Sequence, residues 1–161
     1  MDILINSFVN LFDNLQADYN LKYGSFQIQG RREYMEDTKR IVKIKLKYIN
    51  TCYLVILCDG HAGGACSKYI INKLPLLLSF YLKTIYSTTT YQEINNLISE
   101  TIKQLDSMYQ KQNDLSGSTC IFALFINKNI YIVNIGDSRC IIGNYQNKIK
   151  LQTRSEEHTS E

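Results

Sequence analysis

An apolar run, Cys52 to Cys58 in TCYLVILC, constrains this chain more than any other stretch, because it stops abruptly at Asp59-Gly60-His61. A run of strand length without polar interruption reads as buried on both faces, inside a sheet. Its end then opens into a loop, so the polar residues that follow stand where a sheet meets solvent. Gly63 and Gly64 keep the next turn tight.

Partners for such a strand are legible downstream. After a turn at Ser116 to Thr119 come CIFALFI, IYIVNI, RCIIG and KIKLQ, separated by turns at Asn127-Lys128-Asn129, Gly136-Asp137-Ser138 and Asn144 to Asn147. They read as an antiparallel meander. Between the two strand regions, Ala65 to Tyr81 predicts a helix that Pro75 divides or kinks. Tyr91 to Gln112 predicts a second, since Ile94, Leu97, Ile98, Ile102, Leu105 and Met108 recur at three and four. Upstream, Ile5, Phe8, Val9, Phe12 and Leu15 have helical spacing within residues 3–15. Residues 1–20 are therefore expected to be a helical extension that lids the core. Tyr23 to Gln29 alternates as a half-buried strand does and stops at Gly30, and TKRIVKIKLKY predicts a strand with one lysine-bearing, solvated face. Strands, two helices, then strands again indicate an α+β fold with an antiparallel sheet.

Composition closes off other classes. With 161 residues, 45% hydrophobic and 20% charged, the chain suits one domain or a piece of one and is not disordered throughout. A net charge of +3 is too mild to advertise a nucleic-acid or membrane surface. No apolar run reaches the roughly 18 residues of a membrane span, and MDILINSFVN carries an acid where a signal peptide wants positive charge. An intracellular protein, cytoplasmic or nuclear, is expected, and a monomer. The five cysteines, Cys52, Cys58, Cys66, Cys120 and Cys140, lie in apolar runs without CxxC spacing and read as reduced core residues. Cys66 as a nucleophile and Cys58 with His61 as a zinc pair are the alternatives, and neither has the partners it needs.

Three acidic signatures sit at the edges of predicted strands: Glu36-Asp37, Asp59-Gly60-His61 and Gly136-Asp137-Ser138-Arg139. Carboxylates and backbone carbonyls there make an oxygen-rich site suited to magnesium or manganese. Two such ions can activate a water and orient a phosphoryl group, and Arg32 can supply a forked grip on phosphate. Taken singly, each signature is equally an ordinary solvated turn, His61 a satisfied polar residue and Arg32 a surface charge. A P-loop reading fails, because Ala65 stands where that motif needs its second glycine.

The order of the motifs is more specific than any one of them. GRREYMED, CDGHAGG, SGSTCIFALF and NIGDSRCIIG follow one another as do the motifs of the metal-dependent serine/threonine protein phosphatases of type 2C. That family's patterns are an Arg before Met-Glu-Asp, Asp-Gly-His-Gly/Ala-Gly, Ser-Gly-Ser-Thr-Ala and Gly-Asp-Ser-Arg. The chain resembles this family over residues 23 to about 151. The resemblance implies an α-β-β-α sandwich of two antiparallel sheets flanked by helices, with a metal site at one edge. It implies that Asp59 bridges two metals, that the Gly60 carbonyl is a ligand, and that Glu36 and Asp37 hold metal-bound waters. It further implies Arg32 as the phosphate-binding arginine, His61 as the general acid, and Asp137 as an acid near a third, weaker metal position. The implied activity is hydrolysis of phosphoserine and phosphothreonine in phosphoprotein substrates by metal-activated water, with Mg2+ or Mn2+ as cofactor.

Members of that family continue beyond the meander into a C-terminal half that carries further metal-ligand aspartates. Residues 21–153 are therefore expected to be the N-terminal part of a catalytic domain, a fragment that exposes sheet surface the remainder covers. The last eight residues, RSEEHTSE, look like the translation of a sequencing-library adapter and are read as a non-native tail over 154–161. The other reading takes Leu151, Thr153, Glu157 and His158 as a loose form of the family's Leu-Thr-x-Asp-His segment. Two further functions stay open: a pseudo-phosphatase or regulatory binding module on the same fold, and a sugar or nucleotide phosphatase of another metal-dependent type.

Overall fold

The apolar run forms strand β3 (Cys52–Cys58) in a computed structural model that describes residues 4–8, 22–49, 52–86, 88–143 and 149–153. Its two faces differ: Cys52, Leu54, Ile56 and Cys58 are at most 1% exposed, whereas Leu57 opposite them is 47% exposed. Burial on both faces, expected from the unbroken apolar run, therefore holds for one face only. Antiparallel partners flank β3, with β2 (Thr38–Lys43) on one side and β6 (Cys120–Ile126) on the other. Beyond β6 come β7 (Asn129–Ile135) and β1 (Leu4–Phe8), giving the five-strand order β1-β7-β6-β3-β2. β2 is an edge strand whose exposed Arg40 and Lys43 discourage pairing with another chain.

Leu4–Phe8 is thus a strand where the helical spacing of Ile5 and Phe8 predicted a helix. Its register runs from Leu4 opposite Asn134 to Phe8 opposite Ile130. The exposed edge of β7 offers a row of backbone donors and acceptors, and that non-local ladder overrides the local periodicity. Val9, Phe12 and Leu15 lie outside the described residues. The strand expected at Tyr23 to Gln29 is also missing. That segment has no ladder partner among the described residues, and its alternation is inverted: Phe26 is 86% exposed, while Gln27 turns inward and its Nε2 donates to the Asp37 carbonyl at 2.8 Å.

Helices α1 (Ala65–Tyr81) and α2 (Tyr91–Gln110) cover one face of the sheet. Ile70, Leu74 and Leu78 of α1, with Ile94, Ile98 and Ile102 of α2, join the β3 and β6 side chains in one core. The Thr90 hydroxyl and the Glu93 side chain form a capping box that starts α2. Pro75 does not divide α1. A proline leaves the carbonyl four residues earlier without its helical donor, and here Arg40 Nη1 donates to the Ile71 carbonyl at 3.0 Å, and to Asn72 Oδ1 at 3.2 Å.

The predicted meander is broken after β7. Gly136 adopts φ +95° against Thr119, where a Cβ would lie 2.8 Å from the threonine methyl group, and the chain leaves the sheet. β8 (Ile141–Gly143) then pairs with β9 (Ile149–Gln152) instead of with β7. This ribbon lies over the second face of the sheet, across a cleft lined by Ala123, Phe125, Ile130 and Ile132. Three layers of the expected α-β-β-α sandwich are thus seen among the described residues, the second sheet as two strands and its outer helices not at all. Residues 154–161, the segment read as a tail, lie outside the described residues. No helix among the described residues is long and apolar enough to cross a membrane.

The Arg40 contact gives a prediction. Arg40→Ala should lower stability by about 1 kcal/mol, the usual net worth of a hydrogen bond, measured by urea unfolding. In a Pro75→Ala background, where residue 75 regains its N–H, the same change should do less.

Candidate active site

At the exit of β3, backbone pairing fixes Asp59. The Thr119 N–H donates to the Asp59 carbonyl at 2.9 Å, and the Asp59 N–H donates to Thr119 Oγ1 at 3.1 Å. Ser118 Oγ also donates to the Asp59 carbonyl, at 3.1 Å. A two-residue ladder follows, β4 (Gly60–His61) with β5 (Gly117–Ser118), in which His61 stands opposite Gly117. The His61 ring rests on that glycine so closely that a Cβ there would overlap the imidazole.

The Glu36-Asp37 segment is tied onto the same turn. Glu36 Oε1 accepts from the Gly63 N–H at 2.5 Å, and its carbonyl accepts from the buried Ser67 hydroxyl at 2.5 Å. Gly60 is required for this approach, since a Cβ would sit 2.5 Å from the Glu36 carbonyl oxygen. The turn itself is strained: Ala62 has φ +56°, in a region non-glycine residues rarely adopt. Arg32 arrives from a turn at Gly30, φ +63°, in which Gln29 Nε2 donates to the carbonyls of Arg32 and Glu33 at 2.8 and 3.0 Å.

The result is a cleft of about 390 Å³ lined by Arg32, Glu36, Asp37, Asp59, Gly60 and His61. Six of the seven residues singled out in the sequence thus converge. The seventh, Asp137, is not in the lining, but its loop is held close: Ser138 Oγ shares a 2.7 Å hydrogen bond with Thr119 Oγ1. The Asp59 carboxyl is pushed above its ordinary value, first by partial desolvation, then by the charge and hydrogen bond of Asp37 and by the charge of Asp137, with His61 opposing. Neighbouring carboxylates of this kind repel unless a proton or a cation comes between them.

Among the described residues no three His, Cys, Asp or Glu side chains gather as a ligand cluster. Two carboxylates and a carbonyl nonetheless fit a magnesium-type ion, which is commonly held by one or two carboxylates and keeps several waters. A soft metal is disfavoured by the same donor set. The alternative zinc pair fails, because Cys58 is fully buried in the core while His61 is exposed in the cleft. Burial pushes the Cys66 thiol up, against a nucleophilic role.

Comparison with known proteins bears on this cleft. A family model described as Protein phosphatase 2C matches residues 21–161. The chain belongs to this family. It is 27% identical over 158 residues to Protein phosphatase 1L of Bos taurus, covering 88% of this chain and 42% of that protein. It is 31% identical over 128 residues to a protein kinase and PP2C-like domain-containing protein of Arabidopsis thaliana, covering 74% of this chain and 19% of the relative. The chain therefore spans less than half the length of these curated relatives. Solved structures agree in fold. The serine/threonine phosphatase Stp1 from Staphylococcus aureus aligns with TM-score 0.57 at 23% identity, covering 83% of this chain and 55% of that one. A bacterial serine phosphatase aligns with TM-score 0.57 at 22% identity, covering 96% and 55%.

Within this phosphatase 2C chain, the residues that hold the acids were the ones sequence reasoning passed over. Thr119, Gly117 and Ser118 belong to a motif read as a turn, yet they anchor Asp59 and seat His61. Ser116 Oγ accepts the Cys66 N–H at 3.0 Å at the start of α1, and is itself held by Asp114 and Tyr109. Hydrogen bonds from Ser116 and Tyr109 hold the Asp114 carboxyl below its ordinary range. The SGST run beside an apolar strand was the available signal, since small hydroxylated residues at a strand start suit backbone capping.

Two predictions follow from the geometry. Gly117→Ala should keep the fold but swing the imidazole of His61 off its seat, seen as a shifted His61 ring resonance by NMR. Because the folded Asp59 carboxyl binds its proton more tightly than the unfolded one, its contribution to stability is full below the ordinary carboxylate range near about 3.9 and is lost as pH rises through the folded value. In chelator, Asp59→Asn should therefore be more stable than the parent at neutral pH, with the gap closing in acid.

Proposed function

We propose that this chain is the N-terminal part, over residues 21–153, of a protein phosphatase that hydrolyses phosphoserine and phosphothreonine in phosphoproteins with the help of Mg2+ or Mn2+. The observation that carries the reading is the convergence of Arg32, Glu36, Asp37, Asp59, Gly60 and His61 on one cleft in a phosphatase 2C chain. The reading locates the protein inside the cell, cytoplasmic or nuclear, as a monomer.

Asp59 and the Gly60 carbonyl would hold the metal, with Glu36 and Asp37 holding its waters and Asp137 near a further, weaker position. When bound, the metal supplies Lewis-acid activation of the attacking water and neutralises phosphate charge. Arg32 binds and orients the phosphoryl oxygens through its planar fork. His61, rigid on Gly117, donates its proton to the departing serine or threonine oxygen, a step that matters most when the leaving group is a poor one. Inward-facing Gln27 and Ser67 hold the main chain of Asp37 and Glu36, so the acids do not reorganise as substrate enters.

The test uses a complete domain that carries this chain. His61→Ala should slow hydrolysis of a phosphothreonine peptide by about 100-fold and that of p-nitrophenyl phosphate much less. Equal losses on both substrates remove the acid role. Mn2+ titration followed by calorimetry should show binding that Asp59→Asn weakens, with phosphatase activity lost in parallel. Absence of both binding and hydrolysis in the parent would favour the regulatory binding module instead.

A further inference from the structure

Directly beneath the cleft, two cysteines face each other across neighbouring strands. The β3–β6 register pairs Leu57 with Ile121, and the Thr119 N–H to Asp59 carbonyl bond continues it outward, so Cys58 stands opposite Cys120. The single main-chain bond from Thr119 to Asp59 lies at a hydrogen-bonded position of the ladder, so by the alternation Cys58 and Cys120 take a non-hydrogen-bonded position. In that position opposed Cα atoms are about 4.5 Å apart with side chains on the same face, inside the roughly 4.4–6.8 Å range over which a disulfide closes. Both cysteines are free and buried.

Access comes from the helix side. A cavity of about 70 Å³ between α1, α2 and the sheet is lined by Cys66, Ser118 and Cys120. A water needs only roughly 10–15 Å³ of such space, so a molecule the size of hydrogen peroxide fits. Neither cysteine is required by the family motif: Cys120 stands where the Ser-Gly-Ser-Thr-Ala pattern has alanine, and Cys58 precedes the Asp-Gly-His signature.

We propose that Cys58 and Cys120 are a redox-sensitive pair, closed by peroxide into a disulfide that staples β3 to β6 under Asp59 and reopened by a dithiol. One thiol sulfur attacks a peroxide oxygen; the O–O bond breaks, the thiol proton leaves with the departing oxygen as water, and a sulfenic acid remains. The facing sulfur attacks that sulfur; the S–S bond forms, the S–O bond breaks, and a second water leaves with the second thiol proton. Two thiols are oxidised by two electrons in all, and one peroxide is reduced to two waters. A dithiol reverses the change by thiol–disulfide exchange.

The test treats the full chain with hydrogen peroxide, unfolds it in N-ethylmaleimide, and maps the digest by mass spectrometry. The expected product is a Cys58–Cys120 cross-linked peptide, lighter by two hydrogens than the separate thiols, which dithiothreitol abolishes. Half-buried Cys140 serves as an internal control for peroxide exposure. Cys120→Ala, which installs the family's own residue, should remove the cross-link and leave Cys140 modification unchanged. Recovery of Cys58 and Cys120 as maleimide adducts once Cys140 is oxidised overturns the proposal. So does a disulfide through Cys66, or one formed only between chains.

Discussion

Thr119 holds Asp59 twice, donating through its main chain and accepting through its side chain, at the point where β3 runs out of sheet. That double contact extends the β3–β6 ladder by one residue beyond the strand, and much of the cleft depends on it. The Gly60–His61 pairing with Gly117–Ser118 continues the same register, and the link from Thr119 to Ser138 ties the Asp137 loop to the same atom. Acids that repel one another are thus held close by a backbone scaffold, not by their own attraction. Such preorganisation favours whatever positive charge enters the cleft.

Features with short-range causes were legible in the sequence. The bounds of α1 follow from Gly64 and the apolar spacing behind it, and β6 and β7 follow from apolar runs joined at Asn127, which has φ +51°. The cleft residues were legible because their spacing repeats a family order, although none of them is distinctive alone. What was not legible depends on partners distant in sequence. Residues 4–8 carry a helical pattern and become a strand because β7 has an open edge. Residues 23–29 carry a strand pattern and stay unpaired because no edge among the described residues receives them. The departure of β8 from the sheet turns on a glycine packed against a threonine methyl group.

Pro75 illustrates how a local rule fails for a non-local reason. Interior prolines break helices because a carbonyl loses its donor and the ring crowds the preceding turn. In α1 the donor is replaced from the edge strand by Arg40. The helix is therefore continuous only as part of the packed domain, and its docking onto β2 and its internal hydrogen bonding are one event.

The pairing of β1 with β7 has a consequence for biosynthesis. Leu4 and Asn134, partners in the ladder, are separated by most of the chain. At the roughly 5–20 residues per second of translation, the first strand leaves the ribosome on the order of ten seconds before the strand it pairs with. During that interval β1 has no native partner, and for a further moment the new β7 edge stands open beside it. The speed at which the codons for residues 9–128 are read sets how long that exposed strand waits.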